Sequence, residues 1–297
     1  MKKIVVLLVS CLSMASSVLH AASVNHLFGT TTVDTPPKRV AVIGVGALDA
    51  LDYFAITPIA VSHGTTYPKY LEKYNGDKFA STGSLFEPDF EAIYTLKPDL
   101  IVVGARGSKF YKELQEIAPT LVFTLDDKKS YWESTQQQWR NLGTLFNIES
   151  QVEQTIADFD VQIEKIKQHN QANEYDALTV MSSGGNVTTF GAHSRFSVIY
   201  TDFAFKESVH DIKDSRHGDL VSYEFIRDAK PSILFVVDRD KLVNKGKSNT
   251  RAAFDNDLVK ATPAYKNDRV IFLDINAWYL AIAGVNATQQ MIDDIAQ

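Results

Sequence analysis

The seventeen residues from Phe90 to Arg106 recur without a gap as Tyr223 to Arg239, at a constant offset of 133. Glu91/Glu224, Ile93/Ile226, Lys97/Lys230, Pro98/Pro231, Val103/Val236 and Arg106/Arg239 are identities. Each copy reads as a helix, a Lys-Pro turn and an apolar strand. In the second copy, Ile233-Leu234-Phe235-Val236-Val237 is bounded by Pro231 before and by Asp238-Arg239 after. Such an unbroken apolar run suits a strand buried on both faces, as in parallel sheets. Helix–turn–strand units share an apolar pattern for general reasons. Those reasons do not place an arginine at the same step past both strands. The carboxyl ends of strands are where open α/β sheets bind ligands. The repeat therefore predicts two similar lobes lining one cleft, each contributing an arginine.

The rest of the chain fits that frame. Strands are expected at 39–44, 58–62, 99–104 and 120–125, alternating with helices at 47–54, 68–74, 89–96, 109–117 and 130–146. After a helix over 149–170, strands at 177–182, 232–237 and 269–274 alternate with helices at 195–203, 222–229 and 288–296. Alternation of this kind gives an α/β fold with largely parallel sheets. Residues 24–37 are polar and Thr-rich and read as an N-terminal arm. In 149–170, Val152, Ile156, Phe159, Ile163 and Ile166 form one apolar stripe, which suits a surface helix or a rigid connector. The expected organisation is an N-terminal lobe over 38–147, a connecting helix over 148–171 and a C-terminal lobe over 172–297.

Residues 1–22 stand apart. Lys2 and Lys3 precede an apolar run, and small residues lead to Ala21-Ala22, the layout of a secretory signal peptide. The single cysteine, Cys11, follows Leu8-Val9-Ser10, which also matches a lipoprotein acylation box. Cleavage near Ala21 or Ala22 is the favoured reading, because apolar residues continue past Cys11 where a polar tether is usual. Without this segment, 28 basic residues face 36 acidic ones, a formal charge of −8. No basic tail or run is present, so nucleic acid is not an expected partner.

Catalytic motifs are absent: there is no Gly-x-Ser-x-Gly elbow, P-loop, His-Glu-x-x-His or paired-cysteine motif. Gly44-Val45-Gly46 opens like a dinucleotide fingerprint, but Asp49 stands where the third glycine belongs and would repel a pyrophosphate. Capture rather than turnover is the expectation. Arg195 stands at an expected helix start, where a cation opposes the helix dipole. Either an anion meets it there or it is a plain surface arginine. Together with Arg106 and Arg239 it points to a localised anion site in an acidic protein. His217, in Arg216-His217-Gly218-Asp219, precedes the second repeat helix. Tyr279 lies in the aromatic segment just past the last strand.

Five short motifs occur in order: Arg106-Gly107-Ser108-Lys109-Phe110-Tyr111, Ser194-Arg195-Phe196, Arg216-His217-Gly218, Phe235-Val236-Val237-Asp238-Arg239 and Trp278-Tyr279-Leu280-Ala281. Together they resemble the periplasmic proteins that bind ferric catecholate siderophores, of the enterobactin and vibriobactin class, for an ABC importer. The resemblance implies two α/β lobes joined by one long helix, with Arg106, Arg195 and Arg239 as a basic triad under the anionic complex. It implies that His217 and Tyr279 ligate Fe(III) when the siderophore supplies only four oxygens. It also implies that Glu91 and Glu224 dock onto the permease dimer, although both also suit helix N-termini. The protein is then a monomer in the periplasm with no permanent cofactor and no enzymatic activity. A haem or cobalamin carrier of the same fold is the alternative.

Overall fold

The computed structural model describes residues 21–210, 212, 218–244 and 246–296. Cys11, most of the leader segment and His217 lie outside the described residues. Residues 24–37 are not a loose arm. Strands β1 (Ala22–His26) and β2 (Gly29–Val33) form an antiparallel hairpin. The alternation that buries Val24, Thr31 and Val33 is muted by the threonines around them.

The first lobe holds a wholly parallel sheet of β3 (Val40–Ile43), β4 (Ala60–Val61), β5 (Ala80–Ser81), β6 (Leu100–Gly104) and β7 (Thr120–Phe123), in the order β5-β4-β3-β6-β7. Every residue of β3 and β7 is buried, as unbroken apolar runs require. The hairpin covers the edge strand β7, where the Thr31 hydroxyl donates to the Thr120 carbonyl at 2.6 Å.

The second lobe holds β8 (Asp176–Ser183), β9 (Asn186–Phe190), β10 (Lys206–Glu207), β11 (Asp219–Val221), β12 (Ile233–Asp238) and β13 (Val270–Leu273). Its order is β11-β9-β8-β12-β13, with β10 beside the start of β8. Two antiparallel strands, β9 and β11, extend a parallel centre. The sequence reading assigns no element to either, because the Gly184-Gly185 turn and short Thr-rich runs obscure them. Helix 195–203 contracts to a single turn, Val198–Thr201.

The repeat is structural as well as sequential. Helices Phe90–Leu96 and Tyr223–Ala229 begin and end at equivalent positions. Asp89 caps the first by accepting from the Ala92 N–H, and Ser222 caps the second by accepting from the Phe225 N–H. Lys97 and Lys230 close them in the same left-handed conformation, with φ of 49° and 48°. The strands that follow, β6 and β12, each take the fourth of five places in their sheet's order.

Helix Glu149–Asn173 joins the lobes. Its 25 residues span roughly 37 Å at about 1.5 Å each. Val152, Ile156, Phe159 and Ile163 are buried, as their spacing predicts. Phe159 packs on Trp132 and Trp139 of the first lobe. Further along, the Asn170 amide donates to the Phe203 carbonyl of the second. One apolar cluster runs from Val42 and Leu48 through Trp139 and Phe159 to Phe235 and Ile292, so the lobes share a core.

Asp49 contributes to that junction. It is fully buried, on the first-lobe helix Val45–Tyr53. Its carboxylate accepts from the backbone N–H groups of Asn286 and Ala287, from the Asn286 amide and from the Tyr70 hydroxyl, all at 2.9–3.0 Å. It thus caps the second-lobe helix Val285–Ile295, whose own N-cap is Gly284, without a side chain. The residue that spoils a dinucleotide fingerprint is an interlobe cap. Gly46 serves the same junction, since a Cβ there would lie 2.0 Å from the Ile282 carbonyl oxygen.

Candidate functional site

The carboxyl end of β6 opens onto an interlobe cleft of about 660 Å³, lined by Gly46, Leu85 and Arg106 on one side and Ser194, Arg195 and Leu280 on the other. That volume is within the range of small-molecule sites. Two of its lining residues, Arg106 and Arg195, join Arg239 around one ring beside it. The guanidinium carbons of Arg195, Arg106 and Arg239 lie 4.4, 5.6 and 5.9 Å from the centroid of Tyr279.

Each arrives from a different element. Arg106 follows β6 by two residues, and its Nη2 donates across the cleft to the Tyr279 carbonyl at 3.0 Å. Arg239 follows β12 directly. Its backbone N–H donates to the Ser182 carbonyl, and its Nη1 donates to the Ser183 hydroxyl at 2.9 Å. Arg195 lies in the turn before the short helix Val198–Thr201 rather than within a helix. Its Nε is buried without a hydrogen-bond partner. Among the described residues neither Arg195 nor Arg239 forms an ion pair with a carboxylate.

Tyr279 owes its position to the segment after β13. Asp274 accepts from the backbone N–H groups of Asn276 and Ala277, and the Trp278 indole donates to Asp294 at 2.8 Å. Trp278 is thereby pinned in the core, and its half-buried neighbour Tyr279 faces the arginines. Residues Asn276–Leu280 form a single π-helical turn, a wide turn often found at functional positions. Burial pushes the Tyr279 phenol up. The hydrogen bond and charge of Arg195, joined by those of Arg239, outweigh it and hold the phenol below its ordinary value.

The structure therefore brings together Arg106, Arg195, Arg239 and Tyr279. A phenol held below its ordinary value beside three guanidiniums offers, when ionised, a hard oxygen donor. His217 lies outside the described residues. Glu91 and Glu224 are exposed in the first turns of the two repeat helices. The Ser222 hydroxyl bonded to Glu224 holds that carboxyl below its usual range. Sequence reasoning missed Ser183 and Asp49. Ser183 carried no signal of its own, and the role of Asp49 depends on residues 237 and 238 positions away.

Comparison with known proteins bears on this geometry. A family model described as periplasmic binding protein matches residues 40–277. The chain is 38% identical over 266 residues to the petrobactin-binding protein YclQ of Bacillus subtilis (strain 168), across 89% of this chain and 83% of that one. It is 32% identical over 276 residues to the ferric-anguibactin-binding protein FatB of Vibrio anguillarum, across 92% and 85% respectively. Among solved structures, the periplasmic catecholate-siderophore binding protein VctP of Vibrio cholerae matches with a TM-score of 0.91 and 58% identity. That match covers 93% of this chain and 99% of that one.

Proposed function

We propose that this chain, which belongs to the periplasmic binding protein family, captures ferric catecholate siderophores in the periplasm and delivers them to an ABC importer. The observation that carries the reading is the convergence of three guanidiniums on Tyr279. The names of its relatives support the same cargo class. A haem or cobalamin carrier would have less use for three cations around one acidified phenol.

The charge balance assigns the roles. Two catecholates around Fe(III) leave a net charge of −1 and two open coordination positions. Tyr279, as phenolate, and His217 fill them. A tris-catecholate complex carries −3, is coordinatively complete and needs only Arg106, Arg195 and Arg239. Fe(III) favours anionic oxygen and accepts imidazole. The iron is cargo, and the protein has no permanent cofactor and performs no reaction on it. The lobes 38–147 and 172–297 act as the two jaws on the connecting helix 148–171. Glu91 and Glu224, at equivalent positions of the repeat, dock the monomer onto a permease dimer of matching pseudo-twofold symmetry.

Titration of tryptophan fluorescence with a ferric tris-catecholate, a ferric bis-catecholate and haem tests the reading. Both catecholate complexes are expected to quench with micromolar or tighter affinity. Haem binding with a Soret band, and no response to either catecholate, would overturn it.

A further inference from the structure

The loop Gly83–Pro88 lies beside the arginine cluster. It is closed on itself. Gly83 and Pro88 form an antiparallel bridge, and the Ser84 N–H donates to the Glu87 carbonyl at 2.9 Å. The Ser84 hydroxyl accepts from the backbone N–H groups of Phe86 and Glu87 at 3.2 and 3.0 Å. Gly83 has φ of +92°, and a Cβ there would lie 2.5 Å from both the Asp89 nitrogen and the Glu87 carbonyl oxygen. The loop is therefore held closed by its own hydrogen bonds, and it buries one large apolar residue while exposing the next. Leu85 is buried and lines the cleft. Phe86 is held outward, 60% exposed.

A lone exposed apolar residue needs no functional explanation. The surroundings of Phe86 supply one. The Arg106 guanidinium carbon lies 5.9 Å from the Phe86 ring centre and 5.6 Å from that of Tyr279. Arg106 thus lies within 6 Å of aromatic rings from both lobes. A guanidinium near aromatic rings is attracted to their faces while its N–H edges remain suited to oxygen acceptors. An anionic ligand drawn to Arg106 meets the exposed Phe86 ring at the same time. A flat arene bearing the anionic oxygens satisfies both groups at once, and an aliphatic carboxylate satisfies only the arginine.

We infer that Phe86 is a specificity-determining ligand contact, packing on an arene of the bound chelate and selecting aromatic over non-aromatic ferric complexes. The inference rests on the ferric-siderophore reading and extends it to a residue outside the arginine–tyrosine set. Aromatic pairs contribute about 0.5–1.5 kcal/mol beyond area burial, which corresponds to about 2- to 12-fold in affinity.

The test compares wild type with Phe86→Ala, Phe86→Leu and Phe86→Tyr, titrated with a ferric bis-catecholate, a ferric tris-catecholate and ferric citrate. Phe86→Ala and Phe86→Leu are expected to lose up to about tenfold in catecholate affinity, with ferric citrate affinity unchanged within about twofold. Phe86→Tyr is expected to retain wild-type selectivity. An unchanged visible charge-transfer band of the bis-catecholate complex verifies that the Tyr279 end is intact. Undiminished catecholate binding by Phe86→Ala would overturn the inference. Equal loss for all three chelates would also overturn it, because Phe86 would then only position Arg106. A wild-type protein that binds neither catecholate would remove the parent reading itself, an outcome distinct from both.

Discussion

Arg106 of the first lobe donates a hydrogen bond to the backbone carbonyl of Tyr279 in the second, at 3.0 Å. The arginine thus ties the lobes together at the point where ligand is proposed to bind. Of the three guanidiniums over the Tyr279 ring, that of Arg195 is the nearest. One tyrosine is held through its carbonyl by one lobe, while its phenol is acidified by arginines of the other.

The arginines are expected to discriminate by charge. A hydrogen bond to a charged group contributes about 1.5–3 kcal/mol, so each single Arg→Ala change should weaken ferric tris-catecholate binding by about 10- to 100-fold. Arg195→Ala also removes the hydrogen bond and charge that hold the Tyr279 phenol down, so its effect on charge is read from the tris-catecholate complex, which does not use that phenol. The net −1 bis-catecholate complex should lose less than the −3 complex. Fluorescence titration of the three variants with both complexes measures the ratio. Equal losses for the two would contradict the charge argument.

Ligation by Tyr279 requires loss of its proton. Because the arginines hold the phenol below its ordinary value, less proton work is needed at neutral pH than for a free tyrosine. Below that lowered value, bis-catecholate affinity gains about tenfold per pH unit from this one proton. Tyr279→Phe should remove that slope and the phenolate-to-iron charge-transfer band, leaving tris-catecholate binding nearly intact. Parallel titrations at pH 6, 7 and 8 provide the check, with wild type and variant compared for each complex. A variant with the wild-type slope would exclude Tyr279 as a ligand.

Much of this was legible in the sequence where the determinants are local. The repeat unit, its capped helices and the arginines after β6 and β12 depend on residues within a few positions of one another. The connecting helix was legible from its stripe at Val152, Ile156, Phe159 and Ile163. Strands β9 and β11 were not, since pairing rather than composition defines them. The convergence of Arg195 with Tyr279 likewise depends on how the second lobe closes its sheet. Only the resemblance to known siderophore-binding proteins placed those two together. Asp49 was read only for what it excludes. An acid at that position is incompatible with a bound pyrophosphate, and the structure gives it a helix to cap instead.

Gly46→Ala opposes two effects of known sign. Replacing glycine inside helix Val45–Tyr53 gains about 1 kcal/mol of helix propensity. The added Cβ would lie 2.0 Å from the Ile282 carbonyl oxygen, a backbone atom, so the Ala281–Ile282 segment must shift by more than an ångström. The clash should prevail, lowering the melting temperature by several degrees and weakening ligand binding, because Tyr279 lies three residues before Ile282. Calorimetry and titration on the same sample test both outcomes. A raised melting temperature with unchanged affinity is what propensity alone gives, and it would show that the interlobe contact is slack.

Asp49 makes the junction of the lobes sensitive to pH. Burial pushes its carboxyl up to about 6, and the donors from Ala287, Asn286 and Tyr70 offset that only in part. In the unfolded chain the group titrates near 3.9. Between these values the folded state holds a proton that the unfolded state has released. Its contribution to stability is therefore complete below about pH 4 and is lost as pH rises through about 6, by about 3 kcal/mol in total. Asp49→Asn removes this titration, and it faces an amide N–H₂ toward groups that are themselves donors, at a cost of about 1–3 kcal/mol. The variant should consequently be less stable than wild type at pH 4.5, with the gap narrowing toward pH 7.5. Denaturant unfolding at the two pH values measures the difference directly. A gap that stays constant would mean that the carboxylate capping helix Val285–Ile295 is ionised throughout, with its four donors outweighing burial.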